Sequence, residues 1–118
     1  MGDVYVSITI ANPRNGAPSE KISALADTGA TLTILPRPLL ERLGIQKTGS
    51  VTFELADGRR VRHHVGNAVI AIGDDITACR VVFGRPNDAP LLGITVLEQV
   101  GLAVDPVRRR LVPASFRL

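Results

Sequence analysis

The segment ALADTGATLTIL, residues 24–35, places one carboxylate between two stretches typical of buried β-strands. Asp27 is followed by Thr28, Gly29 and Ala30. Asp-x-Gly triplets are common in turns, so a simple loop residue is one interpretation of Asp27. The apolar flanks, however, require the loop to lie close to the core. A carboxylate there is costly to desolvate unless it is hydrogen-bonded or shares a proton. Such placements are more often functional than accidental, and Asp27 is therefore the candidate functional residue.

The length and composition predict one globular domain over residues 1–118. Hydrophobic residues make up 45% of the 118, enough for a core, and charged residues make up 21%. The chain has three Phe, one Tyr and no Trp, so Val, Ile, Leu and Ala must build the core. Stacking on single-stranded nucleic acid needs aromatic side chains, and no glycine-rich phosphate loop is present. We therefore expect no nucleic-acid partner and no cofactor.

Basic residues cluster at two places in a chain of net charge +3, at Arg59, Arg60 and Arg62 and again at residues 108–110. Such runs can contact phosphate, but a solvated strand face is the interpretation that we favour. The adjacent pair His63-His64 does not indicate a metal site, because neighbouring residues on a strand point to opposite faces. We expect no metal.

The single cysteine, Cys79, excludes a disulfide within one chain and indicates a cytoplasmic protein. The first residues, MGDVYVSITI, lack the basic start and apolar run of a signal peptide. The longest apolar stretches are also too short for a membrane span, so no membrane association is expected.

Alternating hydrophobicity predicts several short strands. The first covers residues 4–11, with Val4, Val6, Ile8 and Ile10 on one face, and others follow at about residues 21–26 and 31–35. The segment PRPLLERLG predicts a short helix that ends at Gly44. The related segments 39–45 and 96–102 share Leu-Glu and a glycine in register, which suggests two related half-units.

The second half of the chain has the same character. Residues 51–65 alternate on both sides of Asp57-Gly58, a dipeptide that suits a two-residue primed turn. The strand after this turn is expected to continue through residues 67–73, and another strand is expected at residues 76–83. The spacing of Thr95 and Glu98 predicts a capping box for a second helix. The tail is predicted to be extended and broken by prolines at 106 and 113. This pattern is typical of an all-β barrel or sandwich with two small helices.

The order of these motifs resembles that of the retropepsins, the aspartic proteases of retroviral type and their bacterial relatives. The resemblance covers most of the chain. It comprises Asp27-Thr28-Gly29 on its loop, a hairpin tip at Asp57-Gly58 where the family has its flap, and Leu91-Leu92-Gly93 before a C-terminal helix. It implies an all-β, retropepsin-like acid protease barrel with a short C-terminal helix and one half-site per chain.

The resemblance also implies a homodimeric aspartic endopeptidase that hydrolyses peptide bonds. Two carboxylates sharing one proton activate water in such a site. Asp27 would be catalytic, and the residues Thr28, Gly29 and Ala30 would support the dyad. Since no other aspartate of the chain lies in a second such triplet, the other carboxylate must come from a second subunit. The flap residues Ala56, Asp57, Gly58 and Arg59 would cover a peptide or protein substrate.

The chain departs from the retroviral pattern at three places. Ile94 and Thr95 stand where retroviral members usually have a charged or amide side chain. The tail after Gly93 is long, residues 94–118, and the flap lacks a glycine-rich tip. Its basic flank, residues 59–64, would favour acidic substrate residues, although a solvated strand face is the interpretation that we favour for this run. A non-catalytic dimeric module that binds a peptide or protein is the alternative function.

Overall fold

The structure is a computed structural model that describes residues 3–14 and 18–117. Over these ranges it contains nine strands and two short helices. In chain order the elements are β1 (Tyr5–Ala11), β2 (Ser19–Asp27), β3 (Thr33–Pro36), α1 (Arg37–Arg42), β4 (Gly49–Glu54), β5 (Arg60–Ile72), β6 (Asp75–Gly84), β7 (Leu91–Gly93), α2 (Ile94–Gln99), β8 (Leu102–Asp105) and β9 (Arg110–Pro113).

Six of the strands close into a barrel. Their order is β1-β2-β7-β3-β6-β5, and β1 also pairs with β5, which completes the ring. The pairs β2–β7 and β3–β6 are parallel, and the other pairs of the ring are antiparallel. Strand β4 pairs only with β5 among the described strands, so the β4–β5 hairpin extends beyond the barrel. The expected all-β barrel is confirmed.

The core is aliphatic, as the composition requires. The alternation predicted for β1 is confirmed, since Ile8 and Ile10 are buried whereas Tyr5 and Ser7 are exposed. Helix α1 contributes Leu39 and Leu40 to the same core. Its end is also as predicted, because Gly44 has a left-handed backbone with φ 70°.

The suggested half-units correspond to two similar strand–helix segments. Strand β3 leads into α1 and strand β7 leads into α2. Gly101 follows α2 with φ 73°, at the place where Gly44 follows α1. The buried pair Val96 and Leu97 of α2 likewise corresponds to the buried leucine pair of α1.

The hairpin tip differs from the primed turn expected at Asp57-Gly58. That turn needs positive φ at both central residues, and among the two only Gly58 has it, at 86°. The backbone N–H of Leu55 donates to the Arg59 carbonyl at 2.7 Å, which closes a three-residue loop. The Asp57 carboxylate stabilises this longer loop by accepting the backbone N–H of Arg59 at 3.0 Å.

The predicted capping box is also wrong. Helix α2 begins at Ile94, one residue before the expected cap, and its N-cap is Gly93 without a side-chain hydrogen bond. The Thr95 backbone N–H instead donates to the Thr31 carbonyl at 3.2 Å. Tertiary contacts of the helix start therefore replace the local cap.

Two strand limits and the tail need correction as well. Strand β2 begins at Ser19 and β3 begins only at Thr33, because residues 28–32 form the turn after Asp27. The tail is a hairpin, in which β8 and β9 form a separate two-stranded sheet. None of the helices in the described part of the chain is long and apolar enough to cross a membrane.

Candidate active site

Asp27 is the last residue of β2, where the chain leaves the sheet and turns. Its Oδ1 accepts the backbone N–H of Gly29 at 2.8 Å, and its carbonyl accepts the N–H of Ala30 at 3.2 Å. The other carboxylate oxygen accepts no hydrogen bond from the described residues. One oxygen is therefore fixed by the turn, and the other remains available for chemistry.

Gly29 is needed for this close turn. A Cβ built on it would lie 3.2 Å from Asp27 Oδ1, which is tighter than most such contacts. Thr28 is exposed, and its hydroxyl makes no hydrogen bond within the described chain. The loop thus presents Thr28 and Gly29 outward beside the carboxylate.

The motif Leu91-Leu92-Gly93 lies directly beside the Asp27 loop. Gly93 pairs with Asp27 in the parallel β2–β7 ladder. The N–H of Ile94 donates to the Ala30 carbonyl at 2.8 Å, just after the glycine. A Cβ on Gly93 would lie 2.5 Å from the Leu32 carbonyl carbon, so no side chain fits there. The structure thus brings the two motifs of the predicted site together.

Thr33 is a residue of the site that the sequence analysis missed. It is 1% exposed and is the one buried polar side chain among the described residues. Its Oγ1 accepts the backbone N–H of Gly93 at 2.9 Å. Because Gly93 pairs with Asp27 in the β2–β7 ladder, the Thr33 hydrogen bond stabilises the strand that lies beside Asp27. The only sign of this role in the sequence is that a hydroxyl residue stands between the aliphatic residues Leu32 and Ile34.

An apolar row crosses the outer face of the barrel next to Asp27. Its members are cross-strand partners in register, namely Tyr5, Leu25, Leu91, Ile34 and Val82. Leu25 lies two residues before Asp27, so their side chains share a face of the sheet. Exposure rises along the row from 1% at Val82 to 67% at Tyr5. The candidate carboxylate therefore borders an apolar surface.

A cavity of about 600 Å³ lies between the β4–β5 hairpin and the barrel. Apolar side chains of the hairpin and of the row form most of its wall, namely Ile34, Phe53, Leu55, Val61 and Val82. Four polar residues complete the wall, namely Glu54, His63, Arg85 and Asp88. The predicted flap residues 56–59 are exposed at the hairpin tip and do not line the cavity. The lining residues of the hairpin escaped the sequence analysis because only the tip has a recognisable motif.

The basic flank of the hairpin faces away from this cavity. Arg60, Arg62 and His64 alternate along β5 and are exposed, whereas Val61 and His63 line the cavity. The interpretation as a solvated strand face is confirmed for these three residues. At the tip, the pKa of the Asp57 carboxyl lies below its usual value because the Arg59 backbone N–H, and then the Arg59 guanidinium, bind it.

Two further observations concern metal binding and the single cysteine. In the described ranges no three His, Cys, Asp or Glu side chains lie close enough together to hold a metal ion. Burial raises the pKa of the Cys79 thiol to about 11, so this cysteine stays protonated near neutral pH.

Comparison of the fold with solved structures gives retroviral proteases. The structure of the EIAV protease in complex with the inhibitor HBY-793 is similar with a TM-score of 0.67 and 17% identity, over 87% of this chain and 92% of that one. The solution structure of the simian foamy virus (mac) protease is similar with a TM-score of 0.58 and 20% identity, over 80% of this chain and 91% of that one.

A third similar structure is the foamy viral protease–reverse transcriptase in complex with an RNA/DNA hybrid. Its TM-score is 0.60 at 12% identity, over 81% of this chain and 12% of that one. At these identities the structures show the fold alone. No curated protein matches the sequence significantly.

The family assignment comes from the sequence itself. The model of the family described as gag-polyprotein putative aspartyl protease matches residues 15–99. This range contains the Asp27 triplet, the β4–β5 hairpin and Leu91-Leu92-Gly93. The chain belongs to the gag-polyprotein putative aspartyl protease family and has the retropepsin-like fold.

Proposed function

We propose that the protein is a homodimeric aspartic endopeptidase whose dyad consists of Asp27 and the partner subunit's Asp27. The observation that carries this proposal is the Asp27 loop. One carboxylate oxygen is fixed by the Gly29 N–H at 2.8 Å, and the loop is hydrogen-bonded to the Gly93 segment beside it. The chain thus supplies a rigid half of a two-carboxylate site.

The chemistry follows from two carboxylates at short range. Like charges cannot both ionise there, so the pair holds one proton. The ionised carboxylate takes a proton from a water molecule, which attacks the peptide carbonyl carbon. The protonated carboxylate donates a hydrogen bond to the carbonyl oxygen. No metal or cofactor takes part in this mechanism.

A two-fold axis beside the Asp27 loop would explain why residues next to the candidate dyad are exposed in the single chain. Thr28 and Gly29 are exposed although they adjoin the candidate dyad. In a dimer these residues would meet the same loop of the partner, and the Thr28 hydroxyl would gain a hydrogen-bond partner there. The chain has one Asp-Thr-Gly triplet, so a second copy is the simplest source of the other carboxylate.

The apolar row suggests how a substrate would lie. Leu25 and Leu91 are on the face of the sheet that carries Asp27, and the row continues through Ile34 into the cavity. An extended peptide passing Asp27 would place alternate side chains on this surface. We therefore propose that apolar residues flank the scissile bond.

Incubation with a mixed peptide library tests the proposed function. Mass spectrometry should show internal cleavage between apolar residues, and a pepstatin-type inhibitor should suppress it. Peptide binding without cleavage would instead favour the non-catalytic binding module. Cleavage that resists the inhibitor but stops with a chelator would contradict the carboxylate mechanism.

We further propose that the β4–β5 hairpin is a flap that closes over bound substrate. Strand β4 pairs only with β5 within the described chain, and the loop 55–59 is exposed. The amides of residues 53–62 should therefore exchange rapidly with solvent in the free protein and slowly with a peptide inhibitor bound. Hydrogen exchange measures both states. Protection equal to that of β3 in the free protein, or no change with inhibitor, would show that the hairpin is a fixed part of the barrel.

A further inference from the structure

We infer that His63 is a specificity-determining residue of the cavity under the hairpin, where it selects a substrate side chain with a large apolar body and a hydroxyl tip, as in tyrosine. This inference rests on the proposed function, because it assigns a preference to the same peptide site. The cavity, of about 600 Å³, is large enough for any single side chain. Its apolar walls accept an aromatic ring, so the polar groups of the lining decide between rings that differ only at the tip.

His63 is held in one orientation. It lies on β5 two residues before Val65, the first residue of β5 that pairs with β6. Beyond that pair the two strands separate, and the imidazole bridges them, with Nδ1 3.0 Å from the Phe83 carbonyl oxygen. The Phe53 ring packs against the imidazole edge to face, with centroids 5.8 Å apart and planes at 73°. These two contacts fix both the position and the plane of the ring.

The contact with Phe83 also fixes the tautomer. A carbonyl oxygen can only accept, so Nδ1 must carry the hydrogen of this bond. In the neutral ring Nε2 is then an unprotonated acceptor. It lies on the opposite side of the imidazole from Nδ1, and His63 lines the cavity. Nε2 is therefore the hydrogen-bond acceptor that His63 offers in a wall that is otherwise mostly apolar.

Of the other polar residues that line the cavity, Arg85 and Asp88 are paired with each other, and Glu54 is exposed. Asp88 accepts the Arg85 backbone N–H at 2.8 Å and the Arg85 Nε at 3.2 Å, so these two charges bind each other. Glu54 is exposed at the end of β4, opposite Arg60. With the imidazole in its neutral form, Nε2 suits a phenol hydroxyl, which donates one hydrogen bond and carries no charge. Phenylalanine would leave Nε2 without a partner and bind more weakly.

Two variants of His63 distinguish the contributions of its two ring nitrogens. In His63→Asn the amide nitrogen stands near the place of Nδ1 and keeps the bond to Phe83, but nothing replaces Nε2. In His63→Gln the longer amide reaches the place of Nε2. Both are combined with Asp27→Asn, so that binding is measured without turnover. The ligands are eight-residue apolar peptides in which a single Tyr or Phe is moved through every position.

Titration calorimetry should show, at one peptide position, about fivefold tighter binding of Tyr than of Phe. His63→Asn should reduce this ratio to about one, and His63→Gln should restore part of it. Equal binding of Tyr and Phe at every position, or a ratio that survives in His63→Asn, would overturn the inference. Failure of every peptide to bind would also overturn it, together with the peptide site. Tyr-selective binding with no turnover by the unsubstituted protein would overturn only the proposed catalysis.

Discussion

Asp27→Asn should abolish peptide hydrolysis and leave the fold intact. Asparagine has the shape of aspartate, but it can neither accept the proton from water nor hold the shared proton of a dyad. We expect the rate to fall at least about 10³-fold. The amide oxygen still accepts the Gly29 N–H that Asp27 Oδ1 accepts at 2.8 Å, so stability should change little. Initial rates on the best library peptide and thermal unfolding by circular dichroism measure the two quantities.

Asp74→Asn is the matched control for this substitution. Asp74 is exposed in the turn between β5 and β6 and makes no hydrogen bond or salt bridge with the described residues through its side chain. The same chemical change there should leave the rate and the melting temperature unchanged. A purified, folded Asp27→Asn protein that retains the activity of the Asp74→Asn control would exclude Asp27 as the catalytic group.

Gly93→Ala should unfold the protein or destabilise it by about 3 kcal/mol or more, near the upper end of overpacking effects. The added Cβ would lie 2.5 Å from the carbonyl carbon and 2.6 Å from the carbonyl oxygen of Leu32. These are backbone atoms, so no side-chain rotation relieves the clash. Either β7 must separate from the Asp27 loop, or residues 31–33 must move and break the Thr33–Gly93 hydrogen bond. Urea unfolding measures the loss.

Gly49→Ala is the corresponding control within the same molecule. Its Cβ would meet only a Val65 methyl at 3.7 Å, an ordinary contact, and Gly49 also lies in a strand. The free energy of unfolding should change there by no more than about 1 kcal/mol. Equal urea midpoints for the two variants would show that the close approach of Gly93 to the Asp27 loop does not exist in solution.

The sequence predicted the features that depend on local pattern. Alternation located β1 and the long β4–β5 hairpin, and apolar residues around Asp27 identified a carboxylate close to the core. Gly44 ended α1 as expected because a left-handed residue after a helix favours glycine. These features need no knowledge of which strands are neighbours.

The features that escaped prediction depend on contacts between residues that are far apart in the sequence. Thr95 and Glu98 have capping-box spacing, but bonds from the start of α2 to residues 30 and 31 fix the helix start two residues earlier. Thr33 becomes part of the site only because β3 and β7 are neighbours. His63 likewise lines the cavity because β5 separates from β6 at that point. A single sequence does not show which strands meet, so such residues appear only in the structure.

Co-refolding of unsubstituted protein with a ninefold excess of Asp27→Asn protein tests the shared dyad most directly. If each active site needs one Asp27 from each chain, random pairing leaves about one tenth of the unsubstituted chains with an active partner. Activity per chain that carries Asp27 should therefore fall about tenfold, whereas it should stay unchanged with a ninefold excess of Asp74→Asn protein. Unchanged activity per unsubstituted chain in the presence of excess Asp27→Asn protein would show that one chain carries a complete site, and would contradict the shared dyad.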